Sequence, residues 1–474
     1  MAKNIGRREF LKLGAASCAM CLGGLGALAS EGAFAPPALI SPGCRKTKVK
    51  VARIFMGRPG AHWPNPNLKL PLEVQRYQRE FTRMREEFRD IDFVVDRLAT
   101  NPSHIRELSG QLAAVDGILA IHLSMGIRGM LGELLKVGRP TVLFAAPYSG
   151  HEWTSFGALR QQEAGAKLEC ILTSDLSQLA AAVRPFRALH HLREAKILNV
   201  TSRRLSRSYL DGIKQKFGTE VVQVGRERVL AAYNAVPDDA AREEARRWIA
   251  GAEAVVEPSE EEIFRSCKLA LAFQRLLDEE QATVITVDCY GTMYHRLPAF
   301  PCIGFVRLND MGLAGICESD LQSALTFIIY QGLVGRPGFI SDPTMDGENI
   351  ILAHCLGTRK MDGPNGPAAP YKLRTIMERQ EGAVPQVRMR VGQVVTQAKL
   401  LGLDTMVYFT GEIVDTPETE RGCRTKITVK VHGDAEKLWQ NWTGGLHRVT
   451  CYGDLVADLK RFCRFAGINL VHEA

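Results

Sequence analysis

The sequence predicts an α/β protein with two doubly wound parallel-sheet domains followed by a smaller β-rich carboxyl-terminal domain. Three observations predict it. From about Lys48 short apolar runs alternate with longer amphipathic ones, the same rhythm returns after about residue 195, and roughly the last hundred residues change to β-branched, alternating segments. The first two patterns imply parallel strands, because each crossover between such strands needs a helix to return the chain. A chain of 474 residues also exceeds what one hydrophobic core supports and divides into domains.

Taken in order, residues 49–56 read as a strand, 72–89 as a charged helix and 91–95 as the next strand. The rhythm continues through the apolar run 117–124, a helix over 127–136 and a strand over 141–146 after the turn Gly138-Arg139-Pro140. A helical stretch over 176–192 is expected to break or kink at Pro185, since proline lacks the N–H its turn requires. Strands over 197–200 and 221–224, a long helix over 260–277 and a strand over 284–287 make the second round. The alternating segments 407–414 and 425–431, separated by polar residues 415–422, argue for antiparallel strands. Two Gly-Pro pairs between Met361 and Pro370 mark an exposed linker or lid loop. These readings divide the chain into a leader over residues 1–35, an α/β domain over 46–195, a second over 196–375 and a β-rich domain over 376–474.

Composition narrows the function classes. Apolar residues make up 46% of the chain and charged residues 24%, an ordinary globular balance. The formal charge of +8 is spread with both signs mixed, whereas nucleic-acid binders concentrate it on one face or tail, so no nucleic-acid partner is expected. The densest basic run, Arg203-Arg204-Leu205-Ser206-Arg207, reads as an exposed loop or helix start. Near the amino terminus Gly6-Arg7-Arg8-Glu9-Phe10-Leu11-Lys12 precedes an uncharged run over residues 13–29. That order is a twin-arginine export signal, with Ala27-Leu28-Ala29 or Ala33-Phe34-Ala35 as a cleavage pattern. It predicts folding in the cytoplasm, passage through the twin-arginine translocation machinery and a periplasmic or otherwise exported product. Of the 12 cysteines, Cys18 and Cys21 fall inside the signal, and the rest show no zinc-ribbon spacing or disulfide framework.

Chemistry concentrates in the carboxyl-terminal half. Glu318, in Gly315-Ile316-Cys317-Glu318-Ser319-Asp320, stands before the apolar helical spacing Leu321, Ala324, Leu325, Ile328 and Ile329 and is expected at a helix start. Asp342 lies just after the short apolar run in Phe339-Ile340-Ser341 and precedes Pro343, which places it at an expected strand end. His447 closes Asn441-Trp442-Thr443-Gly444-Gly445-Leu446-His447, ahead of another apolar run. Alone, each has a simpler reading: a helix-start charge, a turn opener, a solvated histidine.

Together these stretches resemble the active-site elements of the L-fucose/L-arabinose isomerase family, over roughly residues 280–474. The resemblance implies that Glu318, Asp342 and His447 hold Mn²⁺ or another divalent cation, and that Glu318 and Asp342 also serve as acid/base groups. It implies a trimer or hexamer, and a free sugar as substrate. His354 is either a further ligand or substrate contact, as in the arabinose branch, or a core histidine. Asp288, at the end of the run 282–287, is either a second contact or a loop cap. The residue types suit the reaction, because moving a proton between C1 and C2 of a sugar through an enediol needs two carboxylates. A mixed carboxylate and imidazole ligand set with open positions suits Mn²⁺. The competing readings are a non-catalytic sugar-binding homologue and a metal-dependent sugar lyase or epimerase.

Overall fold

The first sheet begins where the first apolar run does. Strands β1 (Val49–Met56), β2 (Ile91–Ala99), β3 (Gly117–His122), β4 (Thr141–Ala145) and β5 (Leu168–Leu172) form one parallel sheet in the order β2-β1-β3-β4-β5. All residues of β3 and β4 are buried, as strands covered by helices on both faces must be. The structure is a computed structural model and describes residues 34–474. The twin-arginine motif Arg7-Arg8 and the run over 13–29 lie outside the described residues. Residues Pro37–Ala474 form one compact unit, and among the described residues no helix is long and apolar enough to cross a membrane.

The second parallel sheet takes β6 (Lys196–Val200), β7 (Glu220–Val224), β9 (Val284–Val287) and β10 (Ala314–Cys317) in the order β10-β9-β6-β7, while the short β8 (Ala254–Val255) leaves to pair elsewhere. The two sheets are joined by the helix Gln178–Glu194, which does not break at Pro185. Proline there removes the bond to the Ala181 carbonyl. Burial on both sides of the kink position, at Val183, Phe186, Ala188 and Leu192, holds the helix together regardless.

The remaining strands pair antiparallel with one another, save the last. They are β11 (Phe339–Asp346), β12 (Asn349–His354), β13 (Tyr371–Ile376), β14 (Glu381–Val387), β15 (Val394–Leu401), β16 (Thr405–Asp415), β17 (Thr425–His432), β18 (Arg448–Tyr452) and β19 (Asn469–His472). Strands run β15-β18-β11-β12-β17-β16, and β15 pairs back to β16, which closes a barrel; β19 adds to β16 in parallel. Strands β14, β13 and β8 form a separate three-stranded sheet. The barrel therefore starts at Phe339, well before the alternating segments that announce it in the sequence. The loop from Met361 to Pro370 is also less free than its Gly-Pro pairs suggest: Met361 is buried, and the preceding Arg359 side chain and Lys360 amide both bond Asp310.

One helix, Leu321–Val334, sits where the second sheet, the barrel and helix Gln178–Glu194 meet. Nearly every residue of it is buried, so it is apolar all round rather than on one face. Its polar exceptions bond to backbone: the Tyr330 hydroxyl donates to the Val449 carbonyl at 3.2 Å, and the Gln331 amide donates to Leu313 at 3.0 Å, while the Gln331 side-chain oxygen is left without a partner. Each fully buried Ile or Leu here contributes about 1.5–3 kcal/mol. This packing fixes the helix's amino-terminal end, and with it the turn that carries Glu318.

Candidate metal centre

Glu318 and Ser319 form the turn between β10 and helix Leu321–Val334, and both adopt left-handed backbone, with φ of 62° and 59°. Non-glycine residues are strained there, and two in succession persist only when the surroundings hold them. Two bonds do so: the Ser319 amide donates to the Val287 carbonyl at 3.1 Å, and its hydroxyl donates to the Asn199 side-chain oxygen at 2.6 Å. The helix cap is Asp320, whose carboxylate accepts the Gln322 and Ser323 amides at 3.0 Å each. Glu318, expected at the helix start, is thus displaced from capping and left free to turn toward the barrel.

The barrel supplies the rest. Asp342 lies inside β11, paired with Ala353, and not at a strand end; Pro343, which lacks an N–H, is tolerated because pairing with β18 ends at Ser341 and leaves one side of β11 open there. His354 is the last residue of β12, and His447 immediately precedes β18, whose Arg448 pairs with Ser341. The order β18-β11-β12 therefore sets His447, Asp342 and His354 side by side, facing Glu318 from the second sheet. His447 Nε2 is 3.7 Å from Glu318 Oε2 and 3.5 Å from Asp342 Oδ1, and His354 Nε2 is 3.8 Å from Glu318 Oε1.

These separations are too long for hydrogen bonds. Asp342 Oδ1 and His354 Nε2 are in fact buried polar atoms with no protein partner. Orphans of this kind are costly unless something else satisfies them. Ligands about 2.1 Å from a common cation stand roughly 3.0–3.6 Å apart at ordinary coordination angles. The donor set therefore fits a divalent ion, and Glu318, His354 and His447 alone already place their ligand atoms within 4.8 Å of one another.

The two imidazoles are prepared differently. His447 Nδ1 donates to Asp320 Oδ2 at 2.9 Å, which leaves the Nε2 lone pair facing Glu318 and Asp342. Lys399 Nζ donates to the same carboxylate oxygen at 3.0 Å and the Ser323 hydroxyl donates at 2.6 Å. Burial alone would raise the Asp320 carboxyl, but His447, Lys399 and Ser323 hold it well below the usual carboxylate range. On His354, by contrast, Nδ1 accepts the Cys355 amide at 2.9 Å, so the neutral ring carries its proton on Nε2. Burial disfavours charge on this ring, while Cys355 and the Asp342 and Glu318 carboxylates favour it and lift it to about 9. His354 thus offers an N–H donor toward the centre.

Asp288 does not join the cluster. Its carboxylate accepts the Thr292 amide at 2.9 Å and the Thr201 hydroxyl at 3.1 Å, and pairs with Arg203 Nε at 2.9 Å, which makes it the organiser of the loop after β9. Residue-by-residue reading overlooks Asp320 and Lys399. An Asp before an apolar helical run is a cap signal that finds the first; nothing local reports its bond to His447, 127 residues away.

No family model matches the chain. A search of curated proteins finds "sulfoquinovose isomerase" from Alkalicoccus urumqiensis, 22% identical over 315 residues, covering 60% of this chain and 67% of that protein. The chain is similar to sugar isomerases. A protein of the same name from Clostridium sp. (strain MSTE9) is 26% identical over 185 residues, covering 36% of this chain and 40% of the relative. These similarities support an isomerase enzyme in the class that the carboxylate and imidazole set also suits.

Proposed function

We propose that this chain is a metal-dependent aldose–ketose isomerase. The observation that carries the reading is the convergence of Glu318, Asp342 and His447 from two layers of the fold, with Asp342 Oδ1 orphaned and buried among them. Glu318, Asp342 and His447 would hold a divalent cation such as Mn²⁺, with His354 beside them. When bound, the cation supplies Lewis-acid stabilisation of the negative charge that develops on the sugar oxygens. Glu318 and Asp342 flank His447 from separate layers, one on the sheet turn and one on the barrel. That position suits one of them to take the proton from C2 of an open-chain aldose and return it to C1, while the other handles the hydroxyl proton. Asp320 and Lys399 keep His447 oriented, and the His354 Nε2 proton is placed to hydrogen-bond a substrate oxygen.

The substrate we favour is an aldohexose with an acidic group at its far end, as sulfoquinovose has in its C6 sulfonate. Strands β10, β9 and β6 are neighbours, so their carboxyl ends set Glu318, Asp288 and the Arg203-Arg204 loop in a row. Adjacent strands lie about 4.8 Å apart, so two steps along this row approach the reach of an extended six-carbon chain. Arg203 is tethered by Asp288 yet its side chain keeps 60% of its exposure.

The test is to load the purified protein with Mn²⁺ and offer neutral aldoses and sulfoquinovose. Ketose formation that disappears in Glu318→Gln and His447→Ala is expected. Sugar binding without turnover would instead favour the non-catalytic homologue, and cleaved or epimerised products the lyase or epimerase. Export by the twin-arginine route is proposed on Arg7-Arg8 and the run that follows; the double change Arg7→Lys/Arg8→Lys should trap the precursor in the cytoplasm. A trimer or hexamer is proposed from the family resemblance, and sedimentation of the purified chain tests it.

A further inference from the structure

All ten cysteines among the described residues are free thiols. Several lie near other thiols or titratable groups, and two of them meet a carboxylate at the protein surface. Cys355, just after β12, and Cys423, just before β17, lie at the open end of a ladder whose last pair is His354 with Thr425. The ladder ends at that pair, and beyond it the two chains leave strand geometry and bring the two sulfurs within 4.8 Å of each other. Glu378, in the turn between β13 and β14, joins them: the Cys423 thiol donates to Glu378 Oε1 at 3.2 Å, and the ligand atoms of all three residues lie within 4.8 Å of one another.

The geometry points to a second metal site, made by Cys355, Cys423 and Glu378, that takes a thiophilic d¹⁰ cation of the Zn²⁺ class. Two sulfurs and one oxygen are the donors that select Zn²⁺ over Mn²⁺, the reverse of the carboxylate and imidazole set next door. Zn–S and Zn–O bonds of about 2.3 and 2.0 Å at tetrahedral angles separate sulfur from oxygen by roughly 3.5 Å and the two sulfurs by roughly 3.8 Å. The 3.2 Å between Cys423 Sγ and Glu378 Oε1, and the 4.8 Å within which all three ligand atoms fall, are compatible with those spacings. Binding forms two Zn–S bonds and one Zn–O bond, sends the two thiol protons to solvent and changes no oxidation state.

The surroundings support the same use. The Tyr290 hydroxyl lies 3.6 Å from Cys355 Sγ, in position to donate to a thiolate. Lys426 interacts electrostatically with Cys423 and Glu378 and offsets the surplus negative charge of a two-thiolate, one-carboxylate site. Cys355 is buried, Cys423 half-buried and Glu378 exposed, so a cation can enter from solvent and the fourth position opens the same way. A bound ion would clip the loop 416–424 and the turn 377–380 to the end of β12, the strand that ends in His354. No spacing motif reveals it, because the three ligands are scattered over three separate segments.

The test uses the full chain, reduced and stripped of metal, then titrated with Zn²⁺ or with Co²⁺ as a spectroscopic probe. Expected are a thiolate-to-Co²⁺ charge-transfer band and the loss of two reactive thiols on Zn²⁺ binding. Both should vanish in Cys423→Ser and weaken in Glu378→Gln, an exposed position whose change leaves the fold intact. Both should persist in His447→Ala, which separates this site from the proposed isomerase centre. Co²⁺ binding without the band, or a band indifferent to Cys423→Ser, overturns the proposal. So does a Cys355–Cys423 disulfide that, once reduced, leaves a protein taking up no Zn²⁺.

Discussion

Asp320 caps the amino terminus of helix Leu321–Val334 and, with its other oxygen, accepts the Nδ1 proton of His447 at 2.9 Å. One carboxylate thus ties the turn bearing Glu318 to the histidine that faces it from the barrel. Removing its charge while keeping its size isolates that second role. Asp320→Asn is expected to weaken divalent-ion affinity by about 10–100-fold, the usual effect of losing a carboxylate behind a ligating imidazole. Mn²⁺ titration followed by electron paramagnetic resonance measures it directly. Unchanged affinity would mean that His447 needs no help in presenting Nε2.

Asp90 and Arg187 give a prediction in pH. Arg187 Nε and a terminal nitrogen donate to the two Asp90 oxygens at 2.7 and 2.8 Å, with both side chains largely buried. Burial alone would raise the Asp90 carboxyl, but Arg187 holds it below its ordinary 3.8. A carboxyl depressed in the folded state stabilises the protein above its unfolded value and loses that contribution as pH falls toward the folded one. Asp90→Asn should therefore cost about 3–5 kcal/mol at pH 7, and the gap to the parent should narrow below about pH 4. Urea unfolding at pH 7 and pH 3 tests this; a gap that is constant with pH would assign the loss to packing.

Much of the α/β framework was legible because covered parallel strands are short, uninterrupted apolar runs, as over Val49–Met56, Gly117–His122 and Val284–Val287. The barrel was legible only at β16 and β17, whose β-branched residues alternate along the sequence although most of both strands is buried. Strand β11 hides its character, since Ser341, Asp342 and Pro343 break both the apolar run and the propensity that marks a strand. Tertiary pairing with β12 and β18 overrides that local signal. The candidate site shows the same division. Glu318, Asp342 and His447 are legible as a pattern, and His354 as one of two possibilities, whereas the supporting Asp320 and Lys399 contacts depend on segments that meet only in the fold. Asp288 was legible as either a second contact or a loop cap, and its bonds to Thr292 and Thr201 are those of a cap.

Gly332 marks where helix Leu321–Val334 crosses Gln178–Glu194. A Cβ added there would overlap the Ala188 backbone, and helix backbones cannot yield locally as a flexible side chain does. Gly332→Ala is expected to destabilise the protein by about 1–3 kcal/mol despite the better helix propensity of alanine. Denaturant unfolding measures the change. A stabilised variant would show that the two helices can part without cost.

Arg203 decides whether the row of strand ends reads the far end of the substrate. Its tether to Asp288 fixes the guanidinium above the loop after β9 while leaving it open to solvent. A charge held in that way can meet an anionic substituent without paying to order a free side chain. Arg203→Gln should raise KM for sulfoquinovose by about tenfold or more, equal to about 1.4 kcal/mol, and leave kcat nearly unchanged, because the contact forms equally in ground and transition states. The neutral aldose turned over best by the parent serves as the internal control. If its KM rises by the same factor, the change has disturbed the loop through Asp288 and the basic rim has no part in choosing the sugar.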